Sequence, residues 1–515
     1  MSTTPPQPVS RSHRFAANVF WTSLGAAANL VSAFVLSPYV IRKLGAGGYG
    51  IWTLAFSFLG YYSLLDFGIR SAIVYFVAFY RARGETPRIN EILSTAAAYY
   101  TLAATLPLGI AAAFNHSIAA WFQVSPALRE DFRLLIVIIA FAWLFGFNIF
   151  SASLEAFQAF HLSSRIYLLT VVVRLAASFT LLGLGYGLVA LGLSYLALQV
   201  LGIGLAYAAL RSIFPELRLS PALVRIRTLK ELAGYGVHSL VSNLATQVLY
   251  QAHPVLIGLY RPAAYIGYFS FPFRLSQYTS DLVMRMGNVT NATAVDLAAR
   301  GDTPALIRLA TYANRYAFSL FVPLFLFLTV YGDPLVRLWI SSEFAMHSVP
   351  LIPVLVAASA LAVGGQFNSS SILFSLRQQK LYGRALLIEA ALSAPAILAV
   401  LPRYDIYGVA WVTAAAMVAV RGLYTPWLLC RQLRVPLWSF LGSIYLLPIA
   451  AGVPVGVALL LLSRAALPGA GWLELGAAAL FTATTYFLLV FFFCVHPDHR
   501  ALLLRLPSRW IPRRS

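Results

Sequence analysis

The chain has 515 residues, of which 60% are hydrophobic and only 10% are charged, and its mean hydropathy is +0.77. A water-soluble domain carries about 25% charged residues, so a soluble fold is excluded and the main solvent of this chain is lipid. The formal net charge of +20 comes almost entirely from arginines. They stand between apolar runs instead of clustering, so we expect no nucleic-acid partner.

The N-terminus is polar up to residue 14, and an apolar run over 15–41 follows it. This run is too long for the core of a signal peptide and no small-residue cleavage site is evident, so we predict a retained first span. A membrane helix needs about 20 apolar residues, and such runs recur to the end of the chain. We predict fourteen spans, at 15–41, 49–80, 90–114, 130–157, 163–185, 187–210, 230–259, 263–288, 305–331, 348–374, 381–401, 406–429, 437–463 and 472–494.

The stretch between the first two spans, LGAGGYG at 44–50, contains the pattern G-x-G-x-x-G. In dinucleotide-binding proteins this pattern follows a strand and opens a helix, and an acid that binds the ribose comes about 20 residues later. Here it joins two apolar spans, and the nearest downstream acid, Asp66, lies inside the second. We predict a tight turn between helices, in which glycine supplies a positive φ and a close approach. The sequence has no G-x-x-x-x-G-K-[ST] motif either, so we expect no nucleotide cofactor.

Metal and disulfide chemistry are not indicated. Cys430 and Cys494 are far apart, in or at the ends of apolar stretches, so we predict two small buried side chains and no disulfide. His496 and His499 in the segment HPDH offer two ligands, fewer than a zinc site needs. We therefore expect neither a metal nor any other cofactor.

The distribution of Lys and Arg predicts the orientation. An even number of spans puts both termini on one side of the membrane, and the loops on that side carry 23 Lys and Arg against 8 on the other. Because cytoplasmic loops carry the excess of positive charge, we predict that both termini are cytoplasmic. This strong bias also supports the span count, since a missed span would scramble the alternation.

The two halves of the chain contain similar sequence patterns in the same order. The second predicted span contains Asp66 and Arg70 as D-x-x-x-R, and the eighth contains Asp281 and Arg285 in the same pattern. A YGLVA segment in the first half and a YGVA segment in the second each follow an arginine at a similar distance. Shared order of this kind indicates a duplicated helix bundle.

The arginines before these two segments are Arg165 and Arg384. Asn148 and Asn368 precede them at matching distances, which adds to the similarity between the two halves. We predict two six-helix bundles in the same orientation, followed by two extra C-terminal helices. The predicted divisions are a cytoplasmic tail at 1–14, the N-terminal bundle at 15–210, a basic connector at 211–229, the C-terminal bundle at 230–430, spans 13 and 14 within 431–494, and a basic tail at 495–515.

The segment from Asn18 to Arg70 reads NVFWTSLGAAANLVSAFVLSPYVIRKLGAGGYGIWTLAFSFLGYYSLLDFGIR. It combines an Asn and a Trp, a small-residue helix, Pro38, and the strings RKLG, YG and LLDFG. In this order the sequence resembles the polysaccharide or O-antigen flippases of the multidrug/oligosaccharidyl-lipid/polysaccharide exporter superfamily. The fourteen-span layout extends the resemblance over nearly the whole chain.

The resemblance implies an all-α polytopic membrane protein whose two bundles form a V around a central cavity and alternate in access. It implies a flippase that moves undecaprenyl-pyrophosphate-linked oligosaccharide units across the bacterial inner membrane for O-antigen, capsule or exopolysaccharide synthesis. The partners to expect are this lipid-linked cargo, the bilayer, the polysaccharide polymerase and the chain-length regulator. We expect a monomer.

Arginines inside the predicted spans are the candidate binding residues. Each costs about 2.5–3.5 kcal/mol at the centre of a membrane helix, so it must face a wet cavity, pair with an acid or snorkel to a surface. Arginine also gives planar, multiply donating contacts to phosphate. We therefore predict a cationic cavity for the pyrophosphate. Its candidate residues are Arg174, Arg274, Arg315, Arg70 and Arg285.

Two other interpretations of these charges stay open. Salt bridges between the Asp and Arg of each D-x-x-x-R pair would pin an inward gate, and Arg421, near an inner interface, would snorkel. Coupling to protons or cations would need buried acids or histidines. The candidates for a gate or ion coupling are Asp66, Asp281 and Glu389. Glu155 lies close to the inner end of its span, where we expect an interfacial position.

Competing functions differ in the cavity they require. A peptidoglycan-precursor flippase and a cation-coupled multidrug exporter belong to the same superfamily, but a cavity for organic cations should be acidic or aromatic, and here intramembrane arginines outnumber acids. A polymerase, ligase or glycosyltransferase would show a large extracytoplasmic loop or a soluble catalytic domain. We find neither in the sequence, so we do not expect an enzyme.

Overall fold

The computed structural model describes residues 11–146, 149–465 and 471–501, and within these ranges every regular element is helical. The first helices are α1 Arg11–Tyr62, α2 Ile69–Ala82, α3 Thr86–Trp121, α4 Pro126–Ala142, α5 Ile149–Ala156, α6 Phe160–Gly183, α7 Gly187–Ile213, α8 Ile226–Tyr260 and α9 Ala263–Ala299. The others are α10 Thr303–Trp339, α11 Ser342–Ser348, α12 Leu351–Gln366, α13 Ser369–Ser375, α14 Gln379–Met417, α15 Thr425–Leu433, α16 Leu437–Ala465 and α17 Trp472–Phe493. The prediction of an all-α membrane fold is confirmed.

Two helices contain a backbone break that divides them. Gly45 inside α1 has φ 69°, and Asp405 inside α14 has φ 54°. Divided at these points, with the bent neighbours joined, the long helical stretches follow the order and positions of the fourteen predicted spans. Nine stretches of the described chain are long and apolar enough to cross a membrane, and the pair Phe34–Asp66 and Ile69–Ala82, bent by 45°, makes a tenth. The full count of fourteen stays a prediction.

The glycine-rich stretch at 44–50 has helix on both sides and no strand before it. Gly45 supplies the positive φ of the turn. Gly50 supplies the close approach, because a Cβ at this position would lie 1.7 Å from the carbonyl oxygen of Ala263 at the start of α9. The prediction of a tight turn between helices is confirmed.

Contacts divide the chain into two units, Met1–Gly267 and Tyr268–Ser515. The core of the first unit comes from α2, α3, α5, α7 and the start of α8, with Ile69, Ile73 and Leu93 fully buried. Helix α8 packs against α1, α2 and α3, which explains why it belongs to this unit. The predicted domain boundaries around the connector at 211–229 stay predictions.

The core of the second unit comes from α9, α10, α12, α13, α15, α16 and α17. Helices α16 and α17, predicted as an appendage, both pack against α10 and against each other. Tyr331 on α10, Leu459 on α16 and Leu475 on α17 form a small buried cluster. The last two helices are therefore part of this core.

The connector between α7 and α8 is held by side chains near the start of α3. The amide of Asn90 donates to the carbonyl of Glu216 at 2.9 Å and accepts from the backbone nitrogen of Arg218 at 3.0 Å. Ser94 accepts from the nitrogen of Ser220 at 3.2 Å. The connector is irregular and lacks the repeating backbone hydrogen bonds of a helix. The side chains of α3 therefore supply partners for its backbone groups.

Replacing Asn90 with alanine should lower the stability of the first unit by about 1–3 kcal/mol, because Asn90 is buried and two backbone groups would lose their partner. Thermal unfolding of the purified protein in detergent checks this. Thr101→Ala is the matched control on the same helix, since among the described residues its exposed hydroxyl bonds only the carbonyl of Ala97. Equal unfolding temperatures for the two variants would show that the Asn90 hydrogen bonds to the connector do not stabilise the first unit.

Candidate functional site

The first candidate cluster lies where the second predicted span breaks. A 3-10 turn at Ser63–Asp66 is followed by Phe67 at φ 47° and Gly68 at φ 72°, and α2 begins after them. Gly68 adopts this left-handed conformation without strain, whereas Phe67 does so at a cost. The break turns the Asp66 carboxylate toward α3, where it accepts a hydrogen bond from the Tyr100 hydroxyl. It also accepts from the backbone nitrogen of Arg70 at 3.3 Å, which caps the start of α2.

The alternative of an Asp66–Arg70 salt bridge, left open by the sequence, is not formed in the described part of the chain. Arg70 instead donates through Nη2 to Glu155 on α5, at 2.5 Å, and Asp66 takes its bonds from Tyr100 and from the backbone. The two residues of a D-x-x-x-R pair lie near each other on a helix, but here the turn before α2 directs their side chains to different neighbours. The Arg70 and Glu155 side chains are 39% and 27% exposed. At this exposure the pair adds little stability and leaves the guanidinium accessible.

Arg174 on α6 is half-buried and is held by neutral groups. Its Nη2 lies 3.0 Å from the Ser32 hydroxyl and 3.4 Å from the Asn29 amide oxygen, both on α1. Its Nε is buried and has no hydrogen-bond partner in the described part of the chain. These contacts orient the guanidinium without neutralising it, so a full positive charge with an unused donor is kept inside the first unit.

The second unit contains the other predicted residues on α9 and α10. Arg274 on α9 is half-buried, and within the described ranges it has neither an ion pair nor a side-chain hydrogen bond. Asp281, two turns farther along α9, is exposed. The side chain of Arg285 lies outside the described residues, so the alternative of an Asp281–Arg285 salt bridge stays open.

Arg315 on α10 has structural partners. Its Nε donates to the carbonyl of Ser443 on α16 at 2.6 Å, and its Nη1 donates to the carbonyl of Cys494 after α17 at 3.3 Å. The guanidinium also lies 5.4 Å from the centre of the Tyr312 ring. Arg315 thus ties three helices together, and two of its donor nitrogens are already used. Its contact with cargo stays a prediction.

Glu389 and Arg421 form a buried ion pair in the second unit. The Nε of Arg421 lies 2.7 Å from Oε2 of Glu389, and the side chains are 7% and 1% exposed for arginine and glutamate. The expectation that Arg421 snorkels to an interface is therefore wrong. It belongs to a π-helical turn, Val418–Tyr424, between α14 and α15. Gly365 on α12 allows this turn to pack closely, because a Cβ there would lie 2.7 Å from the Arg421 carbonyl.

A buried amide network holds the break between α12 and α13. Asn314 on α10 donates to the Ser369 hydroxyl at 3.0 Å and accepts from the backbone nitrogen of Asn368 at 2.7 Å. Asn368 in turn accepts from Thr290 on α9 at 3.1 Å. Asn148, the counterpart of Asn368 in the first half of the chain, lies outside the described residues.

A model of the polysaccharide biosynthesis protein family matches residues 15–290, more than half of the chain. The chain belongs to this family. Two relatives of low sequence identity support the assignment. A Bacillus subtilis (strain 168) membrane protein named EpsK is 22% identical over 422 residues, which cover 78% of this chain and 81% of EpsK. A Shigella flexneri protein described as a candidate O-antigen transporter is 20% identical over 370 residues, which cover 69% of this chain and 82% of that protein.

Solved structures show the same fold at low sequence identity. The lipid II flippase MurJ in an inward closed conformation has a TM-score of 0.72 and 14% identity, with 94% of this chain and 99% of MurJ covered. A multidrug resistance MATE transporter of the MOP superfamily, in an inward-facing conformation, has a TM-score of 0.63 and 13% identity, with 79% and 99% covered. This polysaccharide biosynthesis protein is thus a multi-pass membrane protein of a transporter fold, as its sequence resemblance predicted.

The structure groups the predicted residues of this family member only in part. Asp66 and Arg70 lie in one cluster. Glu389 pairs with Arg421, which was expected at the membrane interface. Tyr100 and Ser32, which bind Asp66 and Arg174, were not predicted. No local pattern marks them, because each reaches its partner across helices that are distant in sequence.

Proposed function

We propose that this chain is a flippase that translocates undecaprenyl-pyrophosphate-linked oligosaccharide units across the inner membrane of a bacterium, for O-antigen, capsule or exopolysaccharide synthesis. It works by alternating access, as a monomer with both termini in the cytoplasm and with no catalytic step of its own. A polysaccharide polymerase and a chain-length regulator are its candidate partners.

The state of Arg174 carries this proposal. A charge inside a helix bundle is expensive, and such a group usually faces a water-filled cavity or pairs with an opposite charge or a backbone carbonyl. Arg174 is oriented by a serine and an asparagine and keeps an unpaired buried donor. Arg274 is also half-buried without an ion-pair partner in the described ranges. Retained, uncompensated guanidinium groups suit a pyrophosphate, which accepts several charge-assisted hydrogen bonds.

A second candidate is a flippase for the peptidoglycan precursor. The likeness to the lipid II flippase MurJ supports it, since that fold covers 94% of this chain. A multidrug exporter for organic cations is less favoured. The buried acid Glu389 is paired with Arg421 and is not available to a cationic drug.

Lipid extraction and mass spectrometry of a strain that lacks this gene test the proposal. We expect a polyprenyl-pyrophosphate oligosaccharide to accumulate in the deletion strain and to disappear when the gene is restored. The mass of the accumulated sugar then identifies the cargo. The empty plasmid is the control for restoration.

The other outcomes separate the alternatives. Accumulation of the peptidoglycan precursor alone would replace the proposed cargo with the second candidate. Unchanged lipid-linked sugars together with a raised sensitivity to cationic dyes would contradict a flippase and support drug export.

A further inference from the structure

A cavity of about 580 Å³ opens in the second unit where α10 begins. Its walls come from α9, α10, the break between α12 and α13, and the segment that follows α17. The volume lies within the usual range of small-molecule sites, about 300–1,000 Å³. None of the candidate cargo arginines lines it, although Arg315 lies against the ring of Tyr312, one of the lining residues.

The lining of this cavity is divided between apolar and polar groups. Val283, Leu297, Leu309, Leu320 and Phe367 provide apolar walls. The polar groups are Thr290, Arg308, Tyr312, Tyr316, His496, Asp498 and His499. A ligand that matches both parts must itself be amphiphilic.

The polar side of the cavity combines one arginine with two histidines and one acid. Tyr316 holds His499, with 2.8 Å between the hydroxyl and Nδ1, and it accepts from the backbone nitrogen of His496 at 3.3 Å. Arg308 is exposed and has no ion pair in the described part of the chain. Asp498 is the one acid of the lining; its side chain is 87% exposed and lies 3.4 Å from Nδ1 of His496. Asp498 thus lies against His496, and within the described residues the Arg308 guanidinium has no acid to share its donors.

We propose that this cavity binds an anionic membrane lipid, with its phosphate at Arg308 and His499 and its first acyl carbons along the apolar walls. Basic pockets between membrane helices near an interface bind anionic headgroups in this way. Inorganic phosphate would fill a small part of the volume and leave the apolar walls uncovered. The chain's own residues 502–515 are a poorer match, because they carry four arginines that Arg308 would repel.

The test measures lipid retention by the full-length protein. The purified chain in a neutral detergent is mixed with equal amounts of phosphatidylglycerol and phosphatidylcholine, and retained lipids are counted by non-denaturing mass spectrometry. We expect phosphatidylglycerol to be preferred. Arg308→Gln should reduce its retention about fivefold, as expected for one cationic side chain at a lipid surface.

Two further variants make the test specific. Ala313→Leu narrows the cavity without a change in charge, and we expect it to reduce retention as well. Arg300→Gln removes an exposed arginine that pairs with Asp296 at the end of α9 and does not line the cavity, so retention should stay at the wild-type level. Thermal unfolding confirms that each variant is folded.

Several results would overturn the proposal. Equal retention of the two lipids, or unchanged phosphatidylglycerol in both Arg308→Gln and Ala313→Leu, would exclude an anionic lipid site. Displacement of the lipid by an excess of inorganic phosphate would indicate a free-phosphate site instead. Increased retention by a chain truncated after Ala501 would assign the cavity to the tail.

Discussion

Glu389→Gln should destabilise the second unit by about 3–5 kcal/mol, the usual cost of removing one partner from a buried ion pair. The glutamine keeps the shape of the side chain but leaves Arg421 charged and buried without its counter-ion. The π-helical turn that presents Arg421 is packed against the backbone at Gly365, so the arginine has little room to relax toward water. Thermal unfolding in detergent and the yield of folded protein measure the effect.

A double variant separates the structural role of this pair from a role in coupling. Glu389→Leu with Arg421→Met replaces both charges with apolar groups, and such replacements are often neutral or stabilising. We expect the unfolding temperature to recover. If Glu389 also gates or couples transport, flipping activity should stay lost in this stable variant, because no titratable group remains at the site.

The control is an exposed ion pair in the same unit. Asp296 and Arg300 are 55% and 71% exposed, so Asp296→Asn should cost about 1 kcal/mol or less. If Glu389→Gln and Asp296→Asn unfolded at the same temperature, the argument that the buried pair is strongly stabilising would be contradicted. Full transport by the double variant would remove Glu389 from the candidates for ion coupling.

Arg274→Ala should abolish most transport while the protein level is kept. Arg274 has no ion pair or side-chain hydrogen bond in the described ranges, so truncation leaves no partner unsatisfied there. Hydrogen bonds to a charged group contribute about 1.5–3 kcal/mol, which corresponds to roughly a tenfold to hundredfold loss of activity. Restoration of surface polysaccharide in the deletion strain measures transport, and immunoblotting measures the protein.

Arg174→Ala should reduce transport to a similar extent, with a small loss of stability because Asn29 and Ser32 lose their partner. Arg174→Lys and Arg274→Lys keep the charge but lose the planar set of donors, so we expect partial activity from both. Arg165→Ala, on the exposed face of α6, is the matched control and should transport normally. Full activity of an alanine variant would remove that arginine from the mechanism.

The sequence was sufficient for the local structure because membrane helices must satisfy their backbone groups within the segment. Apolar runs of about 20 residues therefore predicted the long helices, and glycine at position 45 predicted the turn between the first two. It was also sufficient for the family, because the string of motifs from Asn18 to Arg70 is continuous in the chain. Both depend on neighbours along the sequence.

For the buried charges, the sequence predicted only the types of environment that could hold them, and not the individual partner residues. The cost of burial predicted that arginines inside spans would need a cavity, an acid or a surface. It could not select among these, and the choice of a surface for Arg421 was wrong. Arg70 shows the same limit, since the acid four residues before it was a less suitable partner than Glu155, which lies 85 residues away.

By itself, then, the sequence determined that this protein is an all-helical membrane chain of the polysaccharide biosynthesis family, rich in intramembrane arginine. Only the tertiary structure decided which arginines are neutralised. Arg421 is paired with Glu389, Arg315 donates to the carbonyls of Ser443 and Cys494, and Arg174 keeps an unused donor. The physical reason is that a helix determines the direction of a side chain, whereas the group it meets depends on how distant helices pack.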